Sequence, residues 1–293
     1  MAAPQKFYEG SNMRPYGMTW GGYYVDMGAR AEMYGPRTPG FFENGKLSVR
    51  HISGDFDSFV AWVDEEHYYT DHGVIHAVPY HVIKAEAAYT VTAEQESVSE
   101  RYPLFFLLGT LMSRPAMELY AELYATGSLQ GAFSHVYPNM VKGLPIPKLD
   151  QAPPEAPKDW FSELAAESQG GRFSRAAVRR AFATRAEVAA VIASAARRRQ
   201  EVEQRRGQRR QDFIDFMQLH RRGWRWMRGK SLETPPDEID FLRTVGAGAI
   251  SINTMTTVRA ELRSASQAAA DDAQEAVLLQ AMIDALAESL YAP

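Results

Sequence analysis

The segment KLSVRHI, residues 46–52, alternates polar and apolar side chains with a period of two. This period is typical of a β-strand that buries one face and exposes the other. Two further apolar runs, FVAWV at residues 59–63 and VIHAV at residues 74–78, are separated by Asp/Glu and His/Gly turns. The sequence therefore predicts a small sheet in the amino-terminal part of the chain.

The period changes in residues 102–124. Leucines recur there at three- and four-residue steps from Leu104 to Leu123, as on the buried face of a helix. A proline removes a backbone donor and interrupts a helix, so Pro115 predicts two helices in this stretch rather than one.

The run DQAPPEAP, residues 150–157, predicts a boundary, because its three prolines cannot continue a helix or a central strand. The sequence after it is helical in pattern, with Ser174 as a predicted N-cap of a helix over residues 175–196. A long charged helix over residues 197–217 follows. We therefore expect an α+β fold, with a mixed α/β domain at residues 1–150 and an all-α, arginine-rich domain at residues 151–293.

The composition excludes several classes of protein. Hydrophobic residues make up 45% of the 293 residues, which is enough for a buried core. The chain has no cysteine, so disulfide frameworks, thiolate zinc sites and cysteine nucleophiles are excluded. The start of the sequence has no secretory pattern, and no stretch approaches the ~20 apolar residues that cross a bilayer. We expect a soluble, cytoplasmic protein that does not engage a membrane.

Charge is strongly segregated along the chain. Residues 172–230 contain 17 lysines and arginines and only five acidic residues, so this window carries +12. The net charge of the whole chain is −4, which leaves −16 on the remainder. A chain of this kind can present a positive surface to phosphates in spite of its acidic total.

No catalytic or metal site is evident in the sequence. His72 and His76 have the spacing of helical metal ligands, but they fall in a predicted turn and strand. Gly246–Gly248 lacks the strand that precedes a cofactor loop, which favours an ordinary turn. The stretch NMRPY, residues 12–16, is not the Asn/Asp-Pro-Pro-Tyr motif that grips a flipped adenine, because Arg14 stands at a proline position and the acceptor side chain is displaced.

Four stretches together carry a resemblance to a known family: FFENGKLSVR (residues 41–50), LLGTLMSR (107–114), TGSLQGAFSHVYP (126–138) and LPIP (144–147). In order and approximate spacing they resemble the target-recognition domain of type IIG restriction-modification enzymes. The resemblance is to the TaqI-like C-terminal specificity domain of adenine-specific DNA methyltransferases. The resemblance covers roughly residues 12–150. The chain departs from the family pattern at Gly45, where proline is usual, and at Met112, where asparagine is usual.

The resemblance implies sequence-specific binding of double-stranded DNA. It also implies that methyl transfer and S-adenosylmethionine belong to a methyltransferase core, in cis or in trans. The chain begins almost at the recognition domain, so we expect a carboxy-terminal piece or a separately encoded specificity subunit that is not catalytic alone and holds no cofactor itself. The predicted DNA-binding residues are Lys46, Arg50, Ser128, Gln130, His135, Lys142, Arg198, Arg205 and Arg209.

The residues themselves allow this function and leave alternatives open. Ser128 and Gln130 stand among glycines that permit close backbone approach, and glutamine can address the N6 and N7 edge of adenine. Lysines and arginines such as Lys46, Arg50 and Lys142 can contact phosphates. Residues 127–133 can equally be a tight connector with solvated charges around it.

The arginine-rich helices also allow more than one interpretation. They can be a solvated face paired with Glu201, Glu203, Asp212 and Asp215, an arm that follows phosphates, or a surface that docks an acidic protein. The last possibility gives an alternative function, a helical scaffold or assembly protein. A self-sufficient methyltransferase is the third hypothesis.

Overall fold

The computed structural model describes residues 4–28, 38–52, 58–84, 90–124, 135–168, 173–219, 232 and 252–291. Both strands and helices are present, with helices dominating the carboxy-terminal part, so the α+β prediction is confirmed. Within these residues, no helix is both long enough and apolar enough to span a membrane.

The strands form three small sheets in the described residues. Their bounds are β1 (Gln5–Tyr8), β2 (Met13–Arg14), β3 (Gly17–Met18), β4 (Tyr23–Val25), β5 (Lys46–Arg50), β6 (Ala61–Asp64), β7 (Tyr69–Thr70) and β8 (Val74–Ala77). One sheet has the order β4-β1-β7, β2 and β3 form a hairpin, and the third sheet has the order β6-β5-β8. Both neighbours of β5 run antiparallel to it.

Strand β5 is buried more completely than its sequence pattern predicts. Lys46, Leu47, Ser48 and Val49 are all buried. The polar face is covered because its side chains find partners on the neighbouring strands: Lys46 pairs with Asp64 of β6, and the Ser48 hydroxyl lies 3.1 Å from Nδ1 of His76 on β8. The half-buried prediction for this strand was therefore wrong, although its position was predicted correctly.

The helices are α1 (Tyr80–Ile83), α2 (Ala93–Glu100), α3 (Leu104–Leu111), α4 (Arg114–Tyr124), α5 (Pro138–Gly143), α6 (Trp160–Ala166), α7 (Arg175–Ala181), α8 (Arg185–Leu219) and α9 (Ile252–Tyr291). The predicted division at Pro115 is confirmed, because α3 ends at Leu111 and α4 begins at Arg114. Ser174 caps α7 as predicted, with its hydroxyl accepting from the Ala177 amide at 3.2 Å.

The single helix predicted over residues 175–196 was wrong. The Glu187 carboxylate accepts from the Ala183 and Thr184 amides, at 2.9 Å each, and the Glu187 amide donates to the Thr184 hydroxyl at 3.1 Å. This Thr-x-x-Glu arrangement is a capping box, which satisfies the free amides at a helix start. It begins α8 as a new helix after α7.

The chain divides into two compact units, and the division differs from the one predicted. The first unit comprises residues 1–200 together with 279–293, and the second comprises residues 201–278. Helix α8 up to Gln200 belongs to the first unit because it packs on the strands and on α3. A Cβ placed on Gly109 of α3 would stand 2.6 Å from Cγ2 of Ile192, so the two helices are in close contact there.

Each unit has its own core. In the first, Tyr8 meets both Trp62 and Tyr68 edge to face, and the Trp62 indole donates to the Tyr8 hydroxyl at 3.1 Å. In the second, Phe213 packs with Leu232, Val258, Leu262 and Ala269.

Candidate nucleic-acid interface

His51, which directly follows β5, is hydrogen-bonded to two other segments of the chain. The His51 amide donates to the Gly73 carbonyl at 2.9 Å, and the His51 carbonyl accepts from the Val136 amide at 2.7 Å. Residues 135–137 therefore lie beside the end of β5, as an additional strand would. This hydrogen bond links the predicted entry strand to the carboxy-terminal flank of the predicted recognition turn.

The other flank of that turn is close by. Helix α4 ends at Tyr124, and the Tyr124 hydroxyl lies so near Gly143 of α5 that it leaves no room for a Cβ there. One turn earlier in α4, the Tyr120 hydroxyl lies 3.4 Å from the His135 carbonyl. Ser128 and Gln130, the two predicted base-reading residues, lie outside the described residues, as does the predicted glycine turn Gly246–Gly248.

Three aromatic rings gather at the end of β5. The His51 ring meets the Tyr137 ring at 5.0 Å and 66° and the His135 ring at 6.1 Å and 80°. The His135 and Tyr137 rings are 6.3 Å apart and nearly parallel, with an interplanar angle of 16°. We call these three residues the ring cluster. His135 and Tyr137 are exposed, and Tyr137 keeps 43% of its surface accessible.

His51 is the partly covered member of the ring cluster. Its Nε2 atom is buried and has no hydrogen-bond partner among the described residues. Leaving a buried polar atom unpaired costs about 1–3 kcal/mol. Sequence reasoning missed His51 and Tyr137. The available signal was the HVYP stretch itself, in which His135 and Tyr137 are two residues apart and so share a face of an extended segment.

Two of the predicted cationic residues lie beside the ring cluster along the chain. Arg50 directly precedes His51 and is half-buried, with its Cγ 3.6 Å from the position that a Cβ on Gly10 would take. Lys142 is exposed in the last turn of α5, the helix that begins directly after Tyr137. Arg50, His135 and Lys142 therefore remain candidates for contact with DNA.

The prediction that Lys46 contacts phosphate was wrong. Its ammonium lies 2.6 Å from the Asp64 carboxylate and donates to the Phe42 carbonyl at 2.8 Å, and neither charged side chain is exposed. Burial lowers the pKa of Lys46 and raises that of Asp64, and the opposite charge on each partner counteracts the shift. The ammonium is enclosed by its own chain, so no phosphate can reach it.

Arg198 and its two neighbours are engaged with aromatic rings of the first unit. The guanidinium carbons of Arg197, Arg198 and Arg199 lie 4.0, 4.2 and 5.1 Å from the ring centres of Phe105, Phe161 and Tyr16, respectively. Arg197 also holds both carboxylate oxygens of Glu65 at 3.1 Å. These cation–π contacts hold the part of α8 that belongs to the first unit against the three rings. Arg198 thus already has a structural role that the sequence did not predict.

Arg205 and Arg209 are ion-paired within the second unit. Nε of Arg205 lies 3.3 Å from Asp272 and its Nη2 lies 2.7 Å from Glu275, while Nε of Arg209 lies 2.6 Å from Asp272. Their partners belong to α9, whereas the sequence interpretation assigned local acids of α8. Among those local acids, Glu203 does pair with Arg206. The side chains of Arg205 and Arg209 remain about 40% exposed, so their charge is only partly covered.

Of the two histidines with metal-ligand spacing, His76 has a structural role. Nε2 of His76 lies 2.7 Å from the Thr70 hydroxyl, and its Nδ1 faces Ser48. The described residues contain no group of three or more His, Cys, Asp or Glu side chains placed to hold a metal ion.

Comparison of the chain with protein-family models, with curated proteins and with solved structures found no match. Functional assignment therefore depends on the sequence motifs and on the geometry described above.

Proposed function

We propose that this chain is the sequence-specific DNA-recognition part of an adenine-specific DNA methyltransferase or type IIG restriction-modification enzyme. A methyltransferase core, in cis or in trans, would bind S-adenosylmethionine and transfer the methyl group. The protein would act in the cytoplasm, on double-stranded DNA.

The observation that carries the proposal is the hydrogen bond between the Val136 amide and the His51 carbonyl. It joins His51, which directly follows the motif-bearing segment 41–50, to Val136 of the motif-bearing segment 126–138, and these two segments are far apart in sequence. A recognition surface requires such a junction, because phosphate contacts position a protein and groups nearby read the bases. Arg50 directly precedes His51, and Lys142 lies on the helix that follows Tyr137, so both are candidates for the first kind of group. The exposed His135 is the candidate for the second.

The alternative, a helical scaffold that binds an acidic protein, has weaker support. Two of its arginines, Arg205 and Arg209, are already paired with Asp272 and Glu275 of the same unit. An acidic partner would have to displace these carboxylates, which reduces the gain in free energy on binding.

The test is selection of duplexes from a random pool by the full chain at low salt, followed by fluorescence anisotropy on the enriched and scrambled sequences. We expect one enriched motif and an affinity that falls with salt. Each lost phosphate contact reduces the log–log slope by about 0.9. Arg50→Ala and Lys142→Ala should therefore each flatten the slope, whereas Lys158→Ala, at an exposed position preceding α6, should not.

Equal affinity for enriched and scrambled duplexes would contradict sequence-specific recognition. Competition by polyglutamate as strong as competition by duplex would favour the scaffold function. Incubation with labelled S-adenosylmethionine and the enriched duplex tests the third hypothesis, and we expect no transfer by this chain alone.

A further inference from the structure

We infer that His135 donates a hydrogen bond to N7 of a purine in the major groove, and that His51 and Tyr137 position its ring for this contact. The inference rests on the proposed DNA-binding function and goes beyond it by naming the base atom that is read and the residues that orient the reader.

The His135 ring has two aromatic neighbours that restrict its orientation. Tyr137 lies nearly parallel to it and His51 meets both rings edge-on. The backbone is held as well, by the Val136 amide on the His51 carbonyl. A contact that reads a base depends on direction, and a ring held by two neighbours loses little further freedom when it binds.

The imidazole of His135 suits a contact with a single acceptor atom. A neutral imidazole has one N–H donor, so it matches a single acceptor rather than the paired pattern that glutamine or arginine recognises. N7 is such an acceptor on the major-groove edge of both adenine and guanine. His135 is exposed, so its donor can reach a base without displacing part of the protein.

Two basic residues adjoin the ring cluster in sequence. Arg50 precedes His51 in the chain, and Lys142 is exposed on the helix that follows Tyr137. Both cations are therefore carried by the segments that carry the ring cluster, and each can contact a phosphate of the same duplex. A lysine acts as a point charge on a flexible stem. The aromatic rings are therefore better candidates for a base contact that depends on the direction of the donor.

The experiment uses the full chain and a fluorescent duplex that carries the motif enriched from the random pool. Each purine of the motif is replaced in turn by its 7-deaza analogue, which lacks the N7 acceptor. We expect one position at which the replacement weakens wild-type binding about tenfold. At that position the replacement should have no effect on His135→Ala, because the donor is already missing.

The positioning residues are tested at the same position. His51→Ala should abolish the 7-deaza penalty, whereas His51→Phe should retain it, because phenylalanine keeps the ring contacts with His135 and Tyr137. Tyr137→Ala should also abolish the 7-deaza penalty. Lys142→Ala is the matched control: it should weaken binding to the motif and to scrambled DNA equally and leave the penalty intact.

The outcomes separate the inference from the proposed function. Failure to enrich any motif would overturn both. A 7-deaza penalty that persists in His135→Ala, or no penalty at any purine of an enriched motif, would overturn only the inference. Loss of the penalty in His51→Phe as well as in His51→Ala would overturn the positioning role of the ring contact.

Discussion

The Lys46 ammonium and the Asp64 carboxylate occupy a fully buried site built from β5, β6 and the turn that follows β6. Asp64 accepts from the backbone amides of Glu66, His67 and Tyr68 at 2.9, 2.9 and 3.0 Å, while Lys46 donates to the Phe42 carbonyl. These four hydrogen bonds compensate part of the free-energy cost of burying the two charges. The pair therefore fixes the register of β5 against β6, in which Lys46 stands opposite Asp64.

Removal of one charge from this pair should be strongly destabilising. We expect Lys46→Met to lower the free energy of unfolding by about 3–5 kcal/mol, because an uncompensated carboxylate remains buried. Urea denaturation followed by circular dichroism measures the change. Lys142→Met, at an exposed position, should stay within about 0.5 kcal/mol of wild type. Equal effects of the two substitutions would show that Lys46 is not a core residue.

Tyr16 is an unusual buried residue. It follows Pro15 in the turn between β2 and β3 and has a φ of 59°, the left-handed region that favours glycine. Its side chain is buried, with the Arg199 guanidinium over the ring. Its hydroxyl has no hydrogen bond of good geometry among the described residues, although Gln280 is close enough to favour its ionised form. Burial is the larger effect and raises the pKa of Tyr16.

Stability should decrease in alkali. Burial raises the pKa of both Tyr8 and Tyr16 above the ordinary value of 10.0. The unfolded chain releases these protons near pH 10 while the folded chain retains them, so the free energy of unfolding falls as pH rises above that value. Each group contributes a slope of about 1.4 kcal/mol per pH unit. Urea titrations between pH 9 and 11 (about one unit on each side of the ordinary value) should show a shallower decline for Tyr16→Phe than for wild type. Identical slopes would contradict a buried neutral hydroxyl.

At the scale of elements, Gln200 of α8 pairs directly with β6, the outer strand of the β6-β5-β8 sheet. The Gln200 side-chain amide accepts from the Val63 amide and donates to the Val63 carbonyl, each at 2.8 Å. It pairs with β6 as a neighbouring strand would. Gln200 is buried, and the three arginines before it lie over aromatic rings. Residues 197–200 therefore join α8 to β6, to α3 and α6, and to the turn between β2 and β3.

Replacement of this amide should leave two backbone groups unpaired. We expect Gln200→Leu to lower the free energy of unfolding by about 2–6 kcal/mol, since each of the two unpaired backbone groups costs about 1–3 kcal/mol. Hydrogen exchange of the Val63 amide should accelerate at the same time. Gln204→Leu, one turn later and exposed, is the control and should change neither quantity appreciably. Unchanged exchange at Val63 in Gln200→Leu would contradict the pairing.

The sequence predicts the elements better than it predicts their partners. Periodicity locates β5, because burial of an apolar face is a local pattern, and Pro115 locates the break between α3 and α4, because a proline interrupts a helix. The roles of Lys46 and Gln200 depend on Asp64 and Val63, which are remote in sequence, and a polar side chain is exposed by default. The ring cluster escaped prediction for the same reason, since His51 and Tyr137 meet only after folding.

At the scale of the whole molecule, the first unit is discontinuous in sequence. Residues 1–200 are completed by residues 279–293. Within this unit the Gln280 side chain donates to the Met112 carbonyl at 3.0 Å, and Arg185 donates to the Leu290 carbonyl at 2.9 Å. The proline-rich segment at residues 150–157 is therefore a connector inside this unit rather than a boundary between domains.

A fragment of residues 1–150 should accordingly fail to fold. It lacks Ile192, Gln200 and the last turns of α9, all of which are buried in or hydrogen-bonded to the first unit. We expect no cooperative transition in urea, with the full chain in the same buffer as reference. A sharp transition at the midpoint of the full chain would show that residues 1–150 form an independent domain.

The side-chain amide of Gln200 has a consequence for association between copies of the chain. β6 is the outer strand of its sheet, and outer strands offer free amides and carbonyls to strands of other molecules. Here the Tyr16 amide occupies the Ala61 carbonyl at 2.8 Å, and Gln200 occupies both polar groups of Val63. Intermolecular strand pairing along this edge would require both to be displaced, so the Tyr16 amide and the Gln200 side chain oppose aggregation through β6.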